Sequence, residues 1–265
     1  MRLCSIASGS SGNCIYVGSD HTHILVDVGI SAKRVIQGVE ELGISPKELS
    51  GILITHEHSD HIQGLGVFSR KYNIPIYGTE GTLAAIAGTA SLGEYDKQLH
   101  RMIRTDEGFG IGDLEIMPFK ISHDANQPCG YVMQKENKRV AVATDMGTYD
   151  EYVVSHLQNL NGLLLESNHD VNMVQVGTYP YYLKQRILGN YGHLSNENAG
   201  RLLCRLLHDG IKGIHLGHLS KENNYDRLAY ETVNMEITLG DCPYKGNDFP
   251  IQVAKRDALS DIIYV

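Results

Sequence analysis

Four side chains that can bind metal ions lie close together in the run His56-x-His58-x-Asp60-His61. Imidazole nitrogens and carboxylate oxygens suit zinc, manganese and iron, whereas a soft thiolate site would need cysteines. Four such groups are too many for one open catalytic metal, which takes about three ligands from the protein. In a tight loop the first two histidines can point one way and the aspartate–histidine pair another. The spacing therefore predicts a site for two adjacent divalent ions.

Further candidate residues stand just after predicted strands, where a rigid scaffold usually presents functional groups. In chain order they are His123 after 114–121, Asp145 after 139–143, Glu166 after 163–165 and His218 after 211–216. The histidine run itself follows the apolar segment 51–55, which is typical of a buried strand. We expect these strand ends to meet around the metal ions. His215 competes with His218, but it lies inside an apolar strand and is more typical of a core residue.

Short β segments alternate with helices along the chain. Strands 14–17 and 23–27 flank a turn and predict a hairpin, and helix 31–42 follows with Gly43 at its end. Other helices are predicted at 63–72, 181–188, 196–208 and 225–237, and a strand at 251–254 is expected to close the chain. This pattern predicts an α/β fold, an αββα sandwich of two mixed sheets flanked by helices. No repeat or linker interrupts it, so we expect one domain over residues 1–265.

The composition limits the classes of function and location. A net charge of -8 argues against nonspecific adhesion to nucleic acid or anionic membranes. It leaves a nucleic-acid substrate open, because two bound cations would make an acidic site locally far less negative. The five widely spaced cysteines favour free thiols in a reducing compartment. No apolar run approaches the roughly 20 residues that span a bilayer, so we expect a cytoplasmic protein without a membrane partner.

These motifs resemble those of the metallo-β-lactamase superfamily, whose His-x-His-x-Asp-His signature matches residues 56–61. The resemblance covers nearly the whole chain and implies one divalent ion on each of two ligand sets. The first set is His56, His58, His123 and Asp145, and the second is Asp60, His61, Asp145 and His218. Asp145 would bridge the two ions, whereas a cysteine in its place would favour the zinc β-lactamases. Zinc, manganese and iron all remain candidates for the metal.

The motifs Leu165-Glu166-Ser167-Asn168 and Gly192-His193-Leu194-Ser195 are similar to those of tRNA-processing endonucleases of this fold. The resemblance implies that Glu166 orients His193, which assists the leaving oxygen. We expect loss of Glu166 to cost less activity than loss of His193, because the carboxylate would only orient that ring. Asp60 would accept the nucleophile's proton. The implied nucleophile is a hydroxide shared by two cations, which attacks a backbone phosphorus.

Two segments are candidates for contact with the substrate. One is the Gly/Ser-rich loop 7–13, and the other is segment 178–186, whose aromatic and cationic side chains could stack on bases and bind phosphates. An ordinary amphipathic helix start explains the second segment equally well. The residues expected to bind the substrate are Ser10, Asn13, Asn168, Tyr179, Lys184 and Arg186.

The whole pattern, with Ser8-Gly9-Ser10-Ser11-Gly12-Asn13 at its start, resembles the YycJ (WalJ) branch of the superfamily. That branch implies a dinuclear-metal nuclease, a DNA exonuclease linked to mismatch repair. The alternatives are a phosphodiesterase for RNA or small molecules, and a thioesterase or lactone hydrolase with the same metals. A noncatalytic scaffold would be expected to have lost ligands, and none is missing. The Glu166–His193 pair favours phosphodiester chemistry, because acyl transfer has less need of a second acid–base pair. The oligomeric state stays open.

Overall fold

Fourteen strands and nine α-helices make up the computed structural model, which describes residues 1–265. The strands are β1 (Arg2–Ala7), β2 (Cys14–Gly18), β3 (His23–Val26), β4 (Leu49–Leu53), β5 (Ile76–Thr79), β6 (His100–Ile103), β7 (Phe109–Ile111), β8 (Leu114–Lys120), β9 (Cys129–Lys135), β10 (Lys138–Ala143), β11 (Gly162–Glu166), β12 (Gly213–Gly217), β13 (Ile251–Val253) and β14 (Ile263–Tyr264). The helices are α1 (Ala32–Glu41), α2 (Ser59–Ile62), α3 (Leu65–Tyr72), α4 (Glu80–Gly88), α5 (Glu151–His156), α6 (Val171–Val176), α7 (Tyr181–Leu188), α8 (Asn196–Leu206) and α9 (Asp226–Leu239). None of these helices is both long and apolar enough to cross a membrane.

The strands form two seven-stranded sheets, each part antiparallel and part parallel. The first has the order β14-β1-β2-β3-β4-β5-β6, and the second has the order β13-β12-β11-β10-β9-β8-β7. In the first sheet the parallel pairs run from β3 to β6, and in the second they run from β10 to β13. Each parallel half needs crossover connections, and these connections carry most loops of the candidate site. One further loop joins the antiparallel strands β8 and β9.

Three apolar layers hold these elements together. The middle layer lies between the sheets and combines side chains of both, among them Val26 and Leu53 of the first sheet and Tyr131 and Leu164 of the second. One outer layer packs α1 and α3 on the first sheet, and the other packs α5, α8 and α9 on the second. The predicted α/β class, with two mixed sheets flanked by helices, is therefore confirmed. That one domain spans residues 1–265 stays a prediction.

The end of the chain differs from the sequence prediction. The strand predicted at 251–254 is present as β13, but the prediction that it closes the chain is wrong. The chain continues to β14, which pairs antiparallel with β1 through the contacts Arg2↔Tyr264 and Leu3↔Ile263. Two paired residues are too few to give a readable periodicity, so pattern analysis cannot detect this strand.

His215 lies in the centre of β12 and is 1% exposed, in agreement with its interpretation as a core residue. Neither of its ring nitrogens has a hydrogen-bond partner. Burial lowers the pKa of His215 to about 4, and Asp261 opposes this shift only in part. The folded protein therefore keeps this imidazole neutral, whereas the unfolded chain, with a usual pKa near 6.5, binds a proton more readily.

The protein should consequently lose stability as the pH falls from about 6.5 towards 4, because the unfolded state then binds more protons than the folded state. For this one group the loss between pH 7 and 5 should be about 2 kcal/mol. His215→Leu has a similar volume and cannot be protonated, so its free energy of unfolding should fall less over that range. Urea denaturation of both proteins at each pH measures the difference. Parallel pH profiles for the two proteins would contradict the assignment.

Candidate metal centre

The predicted site residues meet where strands of both sheets end. The loop after β4 and the short helix α2 carry the histidine run, while the loops after β8, β10 and β12 carry His123, Asp145 and His218. Asp145 and His218 have positive φ angles of 59° and 55°. Few residues other than glycine adopt this left-handed conformation, and those that do often belong to functional sites.

Three histidines form the first cluster, and their potential ligand atoms all lie within 4.8 Å of one another: His56, His58 and His123. The Nδ1 atom of His123 donates to the carbonyl of Gly192 at 3.0 Å, which leaves Nε2 facing the cluster. The Nδ1 atom of His56 lies 3.0 Å from Thr55 Oγ1. Both rings are thereby held with one nitrogen available for a metal ion.

The second cluster combines Asp60, His61 and His218, again with ligand atoms within 4.8 Å of one another. Asp60 Oδ2 lies 3.3 Å from His218 Nε2 and 3.5 Å from His61 Nε2. Asp145 stands between the clusters, with Oδ1 3.8 Å from His123 Nε2 and Oδ2 3.3 Å from His61 Nε2. The structure thus brings together all seven residues expected to bind metal.

Two buried atoms of this constellation fit a divalent cation. His56 Nε2 and Asp145 Oδ2 have no hydrogen-bond partner, although unpaired buried polar atoms are costly. Burial, with His61, His123 and His58 nearby, holds the pKa of His56 well below its usual value. Its imidazole is therefore neutral and its lone pair free to bind a metal. A divalent ion would satisfy both atoms, and the nitrogen and oxygen donors suit zinc, manganese or iron.

The second cluster attracts positive charge. Burial alone would lower the pKa of His218, but Asp145, with hydrogen bonds to Asp60 and Glu166, outweighs it and raises the pKa to about 10. Burial is likewise outweighed at His61, where Asp145, Asp27 and Asp60 raise the pKa well above its usual value. Carboxylates that favour protonated rings also favour a bound cation, which would replace those protons.

Asp27 contacts a candidate metal ligand and was missed by the sequence analysis. It is fully buried and follows β3, and its carboxylate accepts hydrogen bonds from the Thr55 N–H at 2.9 Å and the Thr55 hydroxyl at 2.8 Å. It also lies 2.7 Å from His61 Nδ1, so the ring presents Nε2 to the cluster. The signal was available, because Asp27 stands at a strand end as His123, Asp145 and His218 do.

Glu166 holds more groups than expected. Its Oε1 lies 2.8 Å from His193 Nδ1 and 2.9 Å from His218 Nδ1, and its Oε2 accepts hydrogen bonds from the N–H groups of Met146 and Leu194. Although burial raises its pKa, the neighbouring His193 and His218 hold the pKa of this carboxyl well below its usual range. Glu166 therefore holds His218 and two backbone N–H groups as well as the His193 ring, and its role in orienting His193 stays a prediction.

Solvent reaches the clusters on one side. The side chains of His58, Asp60 and His193 are 30%, 24% and 16% exposed, whereas those of His61 and His218 are buried. Asp124 lies on the same open side, with Oδ1 3.4 Å from His123 Nε2. It forms a two-point ion pair with Arg186, whose Nη2 lies 3.0 Å from Oδ1. A substrate therefore has access to Asp60, His193 and Arg186.

Comparison with known proteins identifies the family to which the chain with this arrangement of residues belongs. Residues 22–215 match the model of the beta-lactamase superfamily domain. The exodeoxyribonuclease WalJ of Streptococcus pneumoniae is 38% identical over 257 residues, which cover 97% of this chain and 95% of that protein. This chain belongs to the metallo-β-lactamase superfamily. The exodeoxyribonuclease YycJ of Bacillus anthracis is 39% identical over 245 residues, 89% of each chain. The predicted membership of the WalJ/YycJ branch is confirmed.

A solved structure with this fold is the metallo-beta-lactamase fold protein YhfI from Bacillus subtilis. It has a TM-score of 0.69 and 16% sequence identity, over 98% of each chain. At this identity the likeness concerns the fold alone. It agrees with the αββα arrangement of this chain.

The residues expected to bind substrate take different positions around the two clusters. Ser10 is exposed, and its N–H points to the carbonyl of Leu219, next to His218. Two others are engaged inside the protein, as the amide of Asn13 lies 3.2 Å from His61 Nε2 and that of Asn168 donates to the His218 carbonyl. Lys184 is at the surface, where it donates to the Gln175 carbonyl. Tyr179 is half-buried beside a surface cavity next to α7. Arg186 is joined to the clusters through Asp124.

If Asp145 contacts ions at both clusters, removing its carboxylate should deplete both. Asp145→Gly is the appropriate variant, because glycine accepts the φ of 59° without strain. His123→Ala removes a ligand of the first cluster alone, so it should retain about half of the metal. Elemental analysis of the purified proteins, with the exposed Asp241→Ala as control, measures these contents. Wild-type metal content in Asp145→Gly would contradict the bridging role.

Proposed function

We propose that this chain is a metal-dependent nuclease that hydrolyses the phosphodiester bonds of DNA as an exonuclease. The observation that carries the proposal is the Glu166–His193 pair beside the His/Asp clusters. His193 Nδ1 is held by Glu166 at 2.8 Å, and the ring is partly exposed on the open side of the site. Phosphodiester cleavage needs such an acid, because the leaving alkoxide must be protonated. The exodeoxyribonuclease activity that names WalJ and YycJ supports the choice of DNA.

We assign two divalent ions to the clusters. One would be held by the ligand set His56, His58, His123 and Asp145, and the other by the set Asp60, His61, Asp145 and His218. When bound, such ions supply a nucleophile at neutral pH and neutralise charge on the phosphate. Zinc, manganese and iron are the candidates, because all three accept nitrogen and oxygen donors.

Side chains of the protein transfer the protons of the hydrolysis reaction. Asp60, partly exposed at the open side, accepts a proton from the attacking water. His193 donates a proton from Nε2 to the leaving oxygen, and Glu166 stabilises the charged ring by accepting its Nδ1–H bond. Arg186, also on the open side, binds a phosphate of the substrate.

We assign the remaining predicted residues two kinds of role. Asn13 and Asn168 are buried, so they act on the substrate indirectly, by fixing His61 and His218. Ser10, Tyr179 and Lys184 lie nearer the surface, where they would contact the strand outside the clusters.

We also propose a cytoplasmic location and a role in DNA repair, linked to mismatch repair. The five cysteines are all free thiols, which are typical of reducing compartments. The relatives named exodeoxyribonucleases support the link to DNA metabolism.

A panel of substrates tests the reaction class. The purified protein is incubated with Mn²⁺ and end-labelled linear duplex DNA, and separately with RNA of the same sequence, a bis-aryl phosphate, a thioester and a β-lactam. We expect short products from the ends of DNA and no cleavage of a covalently closed circle, which has no ends. Turnover of the thioester without any phosphodiester turnover would contradict the proposal, and cleavage of the circle would contradict exonuclease action.

His193→Ala separates acid catalysis from metal binding. The variant should keep its metal content and lose about 10²–10⁴-fold in kcat on DNA, the usual contribution of one acid–base group. The loss should be much smaller on bis(nitrophenyl) phosphate, because nitrophenolate leaves without a proton. His21→Ala, at an exposed turn, is the matched control. An equal loss on both substrates would instead indicate that His193 has a structural role.

A further inference from the structure

Exposed apolar side chains are concentrated beside the metal centre. Ten large apolar side chains of the molecule are more than half exposed, and four of them fall within residues 176–191. These four are Val176, Tyr181, Tyr182 and Tyr191. Soluble proteins usually leave such groups exposed singly, and a concentration of them marks a binding surface. We name the exposed surface around Tyr181 and Tyr182, whose side chains point about 100° apart around α7, the tyrosine face of α7.

The charge of this region differs from that of the whole chain. Residues 171–191, which contain α6 and α7, include Lys184 and Arg186 but no aspartate or glutamate, whereas the chain carries a net charge of -8. Of the carboxylates next to the region, Asp124 is already paired with Arg186 and Asp170 caps the N-terminus of α6. A polyanion that approaches the metal centre along α7 therefore meets two cations and no carboxylate of that helix.

The tyrosine face is continuous with the open side of the clusters. Arg186 connects the tyrosine face to the clusters, because its partner Asp124 lies 3.4 Å from His123 Nε2. Tyr182 precedes Arg186 by four residues, so the two side chains share one side of α7 about 6 Å apart along its axis. Successive phosphates of a stacked strand are about 3.4 Å apart along its axis. A phosphate near Arg186 would consequently place the base one or two nucleotides away beside Tyr182.

A cavity next to Tyr181 matches the size of one aromatic ring system. It has a volume of about 290 Å³ and is lined by Gln175, Tyr179, Tyr181, Lys184, Gln185 and Leu188. This volume is at the lower limit of small-molecule sites, which run from about 300 to 1,000 Å³. A single nucleobase is flat and apolar on its faces, with polar edges that the lysine and glutamines could contact.

We propose that Tyr181 and Tyr182 stack on unpaired bases of the strand whose phosphate enters the metal centre. The proposal rests on the proposed nuclease function and deepens it, because it defines the substrate as a strand with unpaired nucleotides at the cleaved end. Those nucleotides are either a single-stranded tail or the opened end of a duplex. Tyrosine rings stack on every base, so no sequence preference is expected. Paired bases inside a duplex offer no free face for such stacking.

Binding to labelled oligonucleotides tests this inference without relying on turnover. The metal-loaded protein is titrated into fluorescein-labelled phosphorothioate DNA, which resists hydrolysis, and fluorescence anisotropy is recorded. One probe is a blunt hairpin duplex, and the other is the same duplex with a single-stranded tail. Tyr181→Ala/Tyr182→Ala should weaken binding of the tailed probe about 5-fold or more, the effect of losing at least one stacked base. Binding of the blunt probe should change much less, because the cost of unpairing keeps its terminal bases mostly paired.

Two further variants separate stacking from other roles. Tyr181→Phe/Tyr182→Phe should bind the tailed probe as the wild type does, because stacking needs the ring and not the hydroxyl. Tyr264→Ala removes a tyrosine that is 67% exposed on β14 and should have no effect.

Two results would overturn the inference. One is a double alanine variant that binds the tailed probe like the wild type, and the other is an equal loss on both probes. Either result could occur while the wild type still degrades DNA, so the inference and the proposed nuclease function can fail separately.

Discussion

The carboxylate of Asp27 is the contact on which the metal centre depends. It is fully buried and joins three groups, namely the N–H and hydroxyl of Thr55 and the ring of His61. These contacts tie the end of β3 to the end of β4 and fix the start and the end of the histidine run. Gly29 permits the close approach, since a Cβ there would lie 1.7 Å from the Asp60 carbonyl oxygen. The loop is thus held before any metal binds.

In the second sheet, Glu166 holds a histidine ring in the same way as Asp27 does in the first. Asp27 follows β3 and holds Nδ1 of His61, while Glu166 ends β11 and holds Nδ1 of His218. Both rings therefore direct Nε2 towards Asp60, which lies between them. Carboxylates bonded to the distal nitrogen of a ligand fix its tautomer and raise its basicity. A buried carboxylate without a partner costs free energy of folding. The edge where the two sheets meet therefore needs positive charge beside Asp27 and Glu166.

Most of the candidate site could be predicted from the sequence, because its ligands either lie close together in the chain or follow strands with a strong apolar pattern. The run from His56 to His61 needed no tertiary information, and His123, Asp145 and His218 could be placed by the ends of apolar strands. Asp27 escaped because it was assigned to the predicted strand 23–27 and was not considered among the residues that follow strands. The several partners of Glu166 could not be predicted, since they come from residues 20 to 52 positions away that only the packed sheets bring together. β14 escaped for a similar reason, because its pairing with β1 joins the two ends of the chain.

The distribution of charge suits an enzyme that acts at the ends of DNA. Nonspecific affinity for a duplex comes from cations that neutralise its phosphates, and a chain with net charge -8 has little of it to offer. Beside the metal centre, attraction comes from the acid-free segment that carries Lys184 and Arg186. Since the tyrosine face adds affinity only for exposed base faces, the sides of a duplex gain nothing from it. A duplex end or a tail, by contrast, can engage the clusters and the tyrosines at once. Preference for ends then follows from the surface as a whole, without a residue that recognises a particular sequence.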